Sequence, residues 1–290
     1  MVKLHVKKGD ESQFLFETTV KEPINVLVAN LVKIFNGRLK IDRLYHELET
    51  LAKHGITLPP NMQGLTDEQI EELKLEDKWS KTCIPHGGSV YVRDPVGRRT
   101  GNAPNANMAD VINRTRSEAK AQVSKDLATA NKCITFSDVQ DALDKMKGSV
   151  MIVYPMGLPP HDPVKMELDN QEDLTGTQAS KEVLEESNAS LWWAGKELMC
   201  GKTLQDYVGK NEKTKIIVKL QKKGHGPPSR EPVINEDEQK AMMAHYYRKQ
   251  EEMKKLSEDE QDLHLNSDWA DSAQLKRQFQ GLNNVSWRPR

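Results

Sequence analysis

The chain has 290 residues, enough for about two domains, and its 42 lysines and arginines nearly balance 43 aspartates and glutamates. A net charge of −1 supplies no overall field to steer the chain onto nucleic acid or anionic lipid. The longest apolar run, Val150 to Tyr154, is far short of the about 20 residues a membrane span requires.

Hydrophobic residues make up 37% and charged residues 29%, which predicts small globular modules joined by solvated helices and loops. The opening Met1-Val-Lys-Leu-His-Val-Lys-Lys has no apolar core of the secretory type. Cys83, Cys133 and Cys200 lie far apart with no CxxC. Reduced thiols in a cytoplasmic chain are therefore expected, without a disulfide framework or a cysteine zinc site.

Val2, Leu4 and Val6 alternate with Lys3, His5 and Lys7, and Phe14 and Phe16 share a face after Gly9-Asp10, so residues 2–19 read as a β-hairpin. Ile24, Leu27, Val28, Leu31 and Phe35 recur at helical spacing up to the stop signal Asn36-Gly37. A second helix carries Ile41, Leu44, Leu48 and Leu51 and ends at Gly55. Thr66 to Gln69 is a capping box that starts a helix. Ser89 to Arg93 reads as a short strand and Asp94 to Asn107 as a surface loop. Residues 108–148 read as two helices, the second ending at Gly148. Val150 to Tyr154 and Val164 to Leu168 are expected strands on either side of a proline-rich connection. A helix with Val183 and Leu184, a strand at Leu191 to Ala194 and a strand at Lys215 to Leu220 follow. After a Gly/Pro linker, a charged helix at 236–257 carries Met242, Tyr246, Met253 and Leu256 as a narrow stripe.

The fold class expected is α+β, with ubiquitin-like β-grasp modules joined by helical segments, a long C-terminal helix and an irregular tail. Leu191-Trp-Trp-Ala-Gly-Lys-Glu-Leu and Thr203-Leu-Gln-Asp-Tyr207 resemble the middle strands and the following corner of ubiquitin. One long helix over 177–200 is the competing reading, against which stand Gly195 and the break at Ser187-Asn-Ala-Ser. As a strand, this segment points Leu191 and Trp193 inward and Trp192 outward. Direct counting from Glu212 along the ubiquitin pattern would bury the Lys215 and Lys219 ammonium groups unpaired, which is untenable, so a one-residue insertion near Val208-Gly209 must place Ile216, Val218 and Leu220 inside. Ile217 and Lys219 then join Trp192 on the outer face, which in ubiquitin binds partners. The expected domains are an α/β module at 1–94, whose opening ββα admits a divergent β-grasp reading, and a helical connector at 95–148. A β-grasp at 149–223, a linker at 224–235, the helix at 236–257 and a tail at 258–290 complete the chain.

Catalytic patterns are missing from the sequence. Gly195 to Thr203 mimics a phosphate-binding loop but has five residues between its glycines where four are needed. Cys83-Ile-Pro-His86 has no second ligand pair for a tetrahedral metal. No HExxH or GxSxG occurs, so no enzyme, cofactor, metal or small-molecule substrate is expected. Lysines crowd residues 202–223, and acids crowd 236–262. The basic stretch suits an acidic surface such as a tubulin tail or RNA, or the chain's own acidic helix. Trp269, Phe279 and Trp287 are large aromatics in a polar tail, expected to anchor it to the protein's own domains or to a partner.

Read end to end, the chain resembles the Kurly family of cilia- and flagella-associated proteins. The resemblance rests on His54-Gly-Ile-Thr-Leu-Pro-Pro-Asn-Met-Gln-Gly-Leu-Thr-Asp, Val153-Tyr-Pro-Met-Gly-Leu-Pro-Pro, Asp206-Tyr-Val-Gly-Lys-Asn-Glu-Lys-Thr-Lys and Trp287-Arg-Pro-Arg290. It implies a non-enzymatic factor in cytoplasmic assembly of axonemal dynein arms, with roles in ciliary motility and the planar orientation of cilia. It further implies residence in cytoplasm and at basal bodies. The implied contacts are with other assembly factors, including a MYND-type zinc-finger protein. An adaptor of this kind is expected to hold dynein subunits or co-assembly factors through its β-grasp face and aromatic tail. The competing function class is a structural microtubule-associated component of the axoneme or basal body. For either class, Trp192, Ile217, Lys219, Trp269, Phe279 and Trp287 are the candidate protein-binding residues.

Overall fold

The structure, a computed structural model, describes residues 1–229 and 236–266 together with residues 273, 276, 277 and 280. It divides into two compact units, Met1–Arg230 and Glu231–Arg290.

The first unit opens with the hairpin β1 (Val2–Lys8) and β2 (Glu11–Thr18), in which Leu4 faces Phe16 and Val6 faces Phe14. Helix α1 (Ile24–His54) follows as 31 continuous residues. Asn36-Gly37 therefore does not stop it. The Asn36 side-chain amide instead pairs with the Leu184 backbone, donating to its carbonyl at 2.6 Å and accepting from its N–H at 3.0 Å. Gly37 lies against Val139, whose Cγ1 would be 2.5 Å from a Cβ at that site. The helical penalty of glycine, about 1 kcal/mol, is offset here by close helix approach.

Next come α2 (Asp67–Glu72), started by the Thr66–Gln69 capping box, and α3 (Lys78–Thr82). A hairpin of β3 (Ser89–Tyr91) and β4 (Asn102–Pro104) leads into α4 (Ala106–Gln122), α5 (Asp126–Thr129) and α6 (Phe136–Val153). Helices α4 and α6 pack on each other and on α1. Then follow α7 (Pro163–Leu168), α8 (Gln178–Glu182), β5 (Ala189–Trp193), β6 (Lys196–Glu197), α9 (Gln205–Val208) and β7 (Lys215–Lys222).

Two expected strands are helical. Val150 to Val153 continue α6, burying Val150 and Val153 and exposing Met151 and Ile152, which is a helical period. A five-residue apolar run cannot by itself distinguish strand from helix. Val164 to Leu168 belong to α7, because Asp162-Pro163 supplies a capping carboxylate followed by a proline at the first helical position. Gly148 is thus a helix interior, and a Cβ there meets nothing within 4 Å. Gly148→Ala should stabilise the protein by about 0.5–1 kcal/mol, read as a rise in urea midpoint at unchanged slope.

The main sheet has the order β2-β1-β7-β5-β6, with β1 and β7 parallel and the other pairs antiparallel. Its strands come from both ends of the first unit: residues 2–18 and residues 189–222. Residues 149–188 contribute none. Inward-facing Val2, Leu4, Val6, Phe14, Leu191, Ile216, Val218 and Leu220 share one core with α1. That core runs on along α1 to Ile112, Ala119, Val139 and Met146. The β5–β6 turn holds Ala194 at φ 47° and Gly195 at φ 77°, both left-handed as a two-residue hairpin loop demands.

The corner after β6 is tied down locally. The Thr203 N–H and hydroxyl both donate to Asp206 Oδ2, at 2.8 and 2.9 Å, and Tyr207 Oη accepts from the Met199 N–H at 3.0 Å. The two Thr203 bonds hold the Asp206 carboxyl below its usual range, the N–H foremost. Backbone bonds from Gln205 to Val20 and from Ile24 to Lys202 dock the corner on the start of α1.

A buried polar cluster locks the far end of α1. Asp162 is fully buried and accepts from the Thr57 N–H and hydroxyl and the Val164 N–H. Arg99 lies 3.7 Å from it and donates to Gly55 O and Glu47 Oε2. The nearby Tyr154 hydroxyl is buried without a hydrogen-bond partner, and burial pushes its pKa up, reinforced by the Asp162 charge. Tyr154→Phe should be neutral or mildly stabilising, since it removes an unsatisfied group. It should also flatten the stability loss that Tyr154 contributes as pH rises past about 10, where the unfolded phenol ionises and the folded one does not. A variant that melts well below the parent at pH 7 would refute this.

The second unit contains α10 (Glu236–Asn266), longer than the expected 236–257, with Met242, Tyr246, Met253 and Leu256 all exposed.

Candidate functional site

The outer face of the main sheet is set by strand alternation and register. On β7, Ile216, Val218 and Leu220 point into the core, so Lys215, Ile217, Lys219 and Gln221 point outward. The parallel pairing sets His5 beside Ile217, Lys3 beside Lys215 and Lys7 beside Lys219. On the opposite side, Trp192 of β5 pairs with Lys219. Two rows of lysines therefore bracket a row containing His5 and Ile217, with Trp192 at one end.

Ile217 is 41% exposed, although it lies in the middle of a sheet. Trp192 is half-buried, and its indole N–H donates to Ser190 Oγ at 3.1 Å. The ring orientation is thereby fixed, with part of the ring left open. Trp193 points inward and packs against the core. The His5 ring lies 2.6 Å from Ser12 Oγ.

Lys219 lies on this face but is only 8% exposed, which differs from the open patch the sequence suggests. Its ammonium donates to Ser229 O at 2.8 Å and reaches Asp10 Oδ1 at 3.4 Å. Gln221 donates to His225 O and Gly226 O. The start of the Gly/Pro linker thus straps one end of the face, and this is how a lysine is buried without being unpaired.

The structure brings Trp192, Ile217 and Lys219 together. Trp269, Phe279 and Trp287 lie outside the described residues. Lys3, His5, Lys7 and Asp10 were absent from the expected set, because the parallel pairing that carries them here has no local signal. Their alternation with Val2, Leu4 and Val6 did mark them as the solvent face of some sheet.

Other features offer less. A cleft of ≈ 520 Å³ lies beside Lys8, Arg38, Lys120 and Lys125, yet its charges are internally matched. Arg38 donates to Val123 O and Gln13 Oε1 and sits over the Phe14 ring, Lys120 pairs with Asp42, and Lys125 pairs with Glu11. Burial lowers the Arg38 pKa to about 10, against the opposing pull of Glu11 and Asp42. Burial pushes the Cys83 and Cys133 thiols up, away from the nucleophilic thiolate. Among the described residues no group of three His, Cys, Asp or Glu is placed to hold a metal, and no helix is long and apolar enough to cross a membrane.

The sequence profile described as cilia- and flagella-associated protein 298 matches residues 189–285, which include β5, β6 and β7. Relatives of that name align over the whole chain: 62% identical over 290 residues in Danio rerio and 56% over 290 residues in Homo sapiens, covering 100% of both chains. In Drosophila melanogaster the identity is 52% over 288 residues, or 99% of each chain. The chain belongs to the cilia- and flagella-associated protein 298 family. This is the Kurly family whose resemblance the sequence carries. No solved structure matches.

Proposed function

We propose that this chain is a non-enzymatic adaptor in the assembly of axonemal dynein arms, and that the outer face of its main sheet docks the partners. Family membership supports a role in cilia. The dynein-arm role, the link to planar orientation of cilia, a basal-body pool and contact with a MYND-type zinc-finger factor come from the sequence resemblance.

The observation that carries the docking role is the sheet itself. Its order, its one parallel pair and the Thr203–Tyr207 corner support reading the sheet and α1 as a ubiquitin-like β-grasp. On that reading residues 55–188 are one large insertion between the helix and the third strand. Exposed Ile217 and half-open Trp192 among lysines have the aromatic, aliphatic and basic make-up of an interface hot spot. The same lysines also favour a second reading, a structural protein bound to the acidic surface of microtubules.

Fractionation of ciliated cells separates the two. An assembly factor is recovered in the soluble cytoplasmic fraction, and its loss removes dynein arms from axonemes seen in cross-section. A structural component stays on detergent-extracted axonemes. Recovery mainly on extracted axonemes, with arms intact in its absence, would reject the adaptor role.

A further inference from the structure

The β3–β4 hairpin lies in the insertion, away from the main sheet. Strand β3 pairs with β4 along one edge only, with Ser89 opposite Pro104, Val90 opposite Ala103 and Tyr91 opposite Asn102. The Val92 N–H donates to Gly101 O at 2.7 Å, so the main-chain groups of Val90 and Val92 face β4. Those of Ser89 and Tyr91 then face the open edge. All three β3 residues are exposed.

Native proteins protect such edges with charge, bulges or a covering element. This one instead carries Val90 at 53%, Tyr91 at 66% and Val92 at 42% exposure. Ile84 is also exposed, in the turn that the His86 N–H fixes to Val153 O. The Tyr91 ring lies over Gly101, where a Cβ would come 2.9 Å from it. The loop between the strands is closed by Asp94, which accepts from the N–H groups of Val96, Arg98 and Arg99. An apolar, unpaired edge is suited to adding a strand from outside.

The charges around it select the strand. Arg93 lies two residues past the end of β3, is exposed and has no ion pair among the described residues. Lys78 and Lys81 are exposed on α3, which touches β4 through the bond from Asn102 to Ser80. Three nearby acids are engaged: Asp94 in its own turn, Glu47 with Arg98 and Arg99, and Asp77 in capping α3 through the Trp79 and Ser80 N–H groups. We propose that β3 is a docking edge for an extended acidic segment of a partner protein, whose backbone pairs with Ser89 and Tyr91 while its carboxylates meet Arg93 and the α3 lysines. This interface is independent of the main-sheet face.

Amide hydrogen exchange of the full chain tests it. The probes are an N-acetylated heptapeptide of alternating valine and glutamate and its valine–lysine counterpart. The acidic peptide should slow exchange at Tyr91 by about tenfold or more, and the lysine peptide should not. The acidic peptide should also protect the outward Ser89 N–H, which survives in Tyr91→Pro. That variant deletes the outward N–H at 91 while leaving the groups of Val90 and Val92 that face β4, and should abolish the protection read at Ser89 with melting nearly unchanged. Arg93→Glu should favour the lysine peptide. Absence of protection by the acidic peptide would overturn the proposal. So would equal protection by both peptides. Protection already present in the free chain would also overturn it, identifying a second copy as occupant if it depends on concentration and the chain's own segments if it does not.

Discussion

Asp162→Ala should destabilise the protein by about 3–5 kcal/mol, the range for removing one partner of a buried ion pair. The carboxylate is fully buried and satisfies three donors, two of them on Thr57 and one at the first turn of α7. Removing it leaves those donors unpaired and strips the counter-charge from Arg99, whose side chain is 3% exposed. Arg99 keeps Glu47, so Asp162→Asn, which retains an acceptor, should cost clearly less. Chemical denaturation with a common slope measures both. A loss below about 1 kcal/mol for the alanine variant would mean that the cluster relaxes or that water replaces the carboxylate.

Gly55→Ala should cost about 3 kcal/mol or more, through a different mechanism. Gly55 ends α1 at φ 76° and ψ −158°, a region that is essentially glycine's alone. A Cβ there would sit 2.1 Å from Asn102 O. That atom is backbone, anchored by the packing of β4 on α1, so no side-chain rotation relieves the clash. The opposite sign expected for Gly148→Ala, where the space is open, provides the internal control. If both substitutions move stability the same way, the packing of β4 against the end of α1 is misread.

Gly55 as a helix terminus, the Thr66 capping box and the inward set of β7 were legible in the sequence, because each rests on local chemistry or on the cost of burying charge. The exclusion of a buried, unpaired lysine fixed the β7 register although Lys219 proved to be buried, because the rule concerns pairing and Asp10 and Ser229 supply it. The partnership of β1 with β7 was not legible. It joins Lys3 to Lys215 across all the intervening helices, and no residue near either strand names its partner. The N-terminal ββα and the later strands therefore read as two modules, when they share one sheet. Val150 to Tyr154 misled for the reverse reason: a short apolar run carries no period, and the packing of α6 on α1 and α4 decided it. Asn36-Gly37 shows that a strong stop signal yields when its two residues each gain a tertiary contact.

The outer face of this composite sheet is the proposed docking surface for partners in ciliated cells. The most direct measurement is quantitative co-purification from ciliating cells of the parent chain and a Trp192→Ala, Ile217→Ala double variant, with thermal melting of both purified proteins alongside. Ile217 contributes nothing to the inner core and Trp192 faces outward, so melting should change by only a few degrees. Partner recovery should fall by about tenfold or more, as truncating hot-spot residues by 1.4 kcal/mol or more implies. Unchanged recovery of the same partners by a folded double variant would rule out this face as the docking surface.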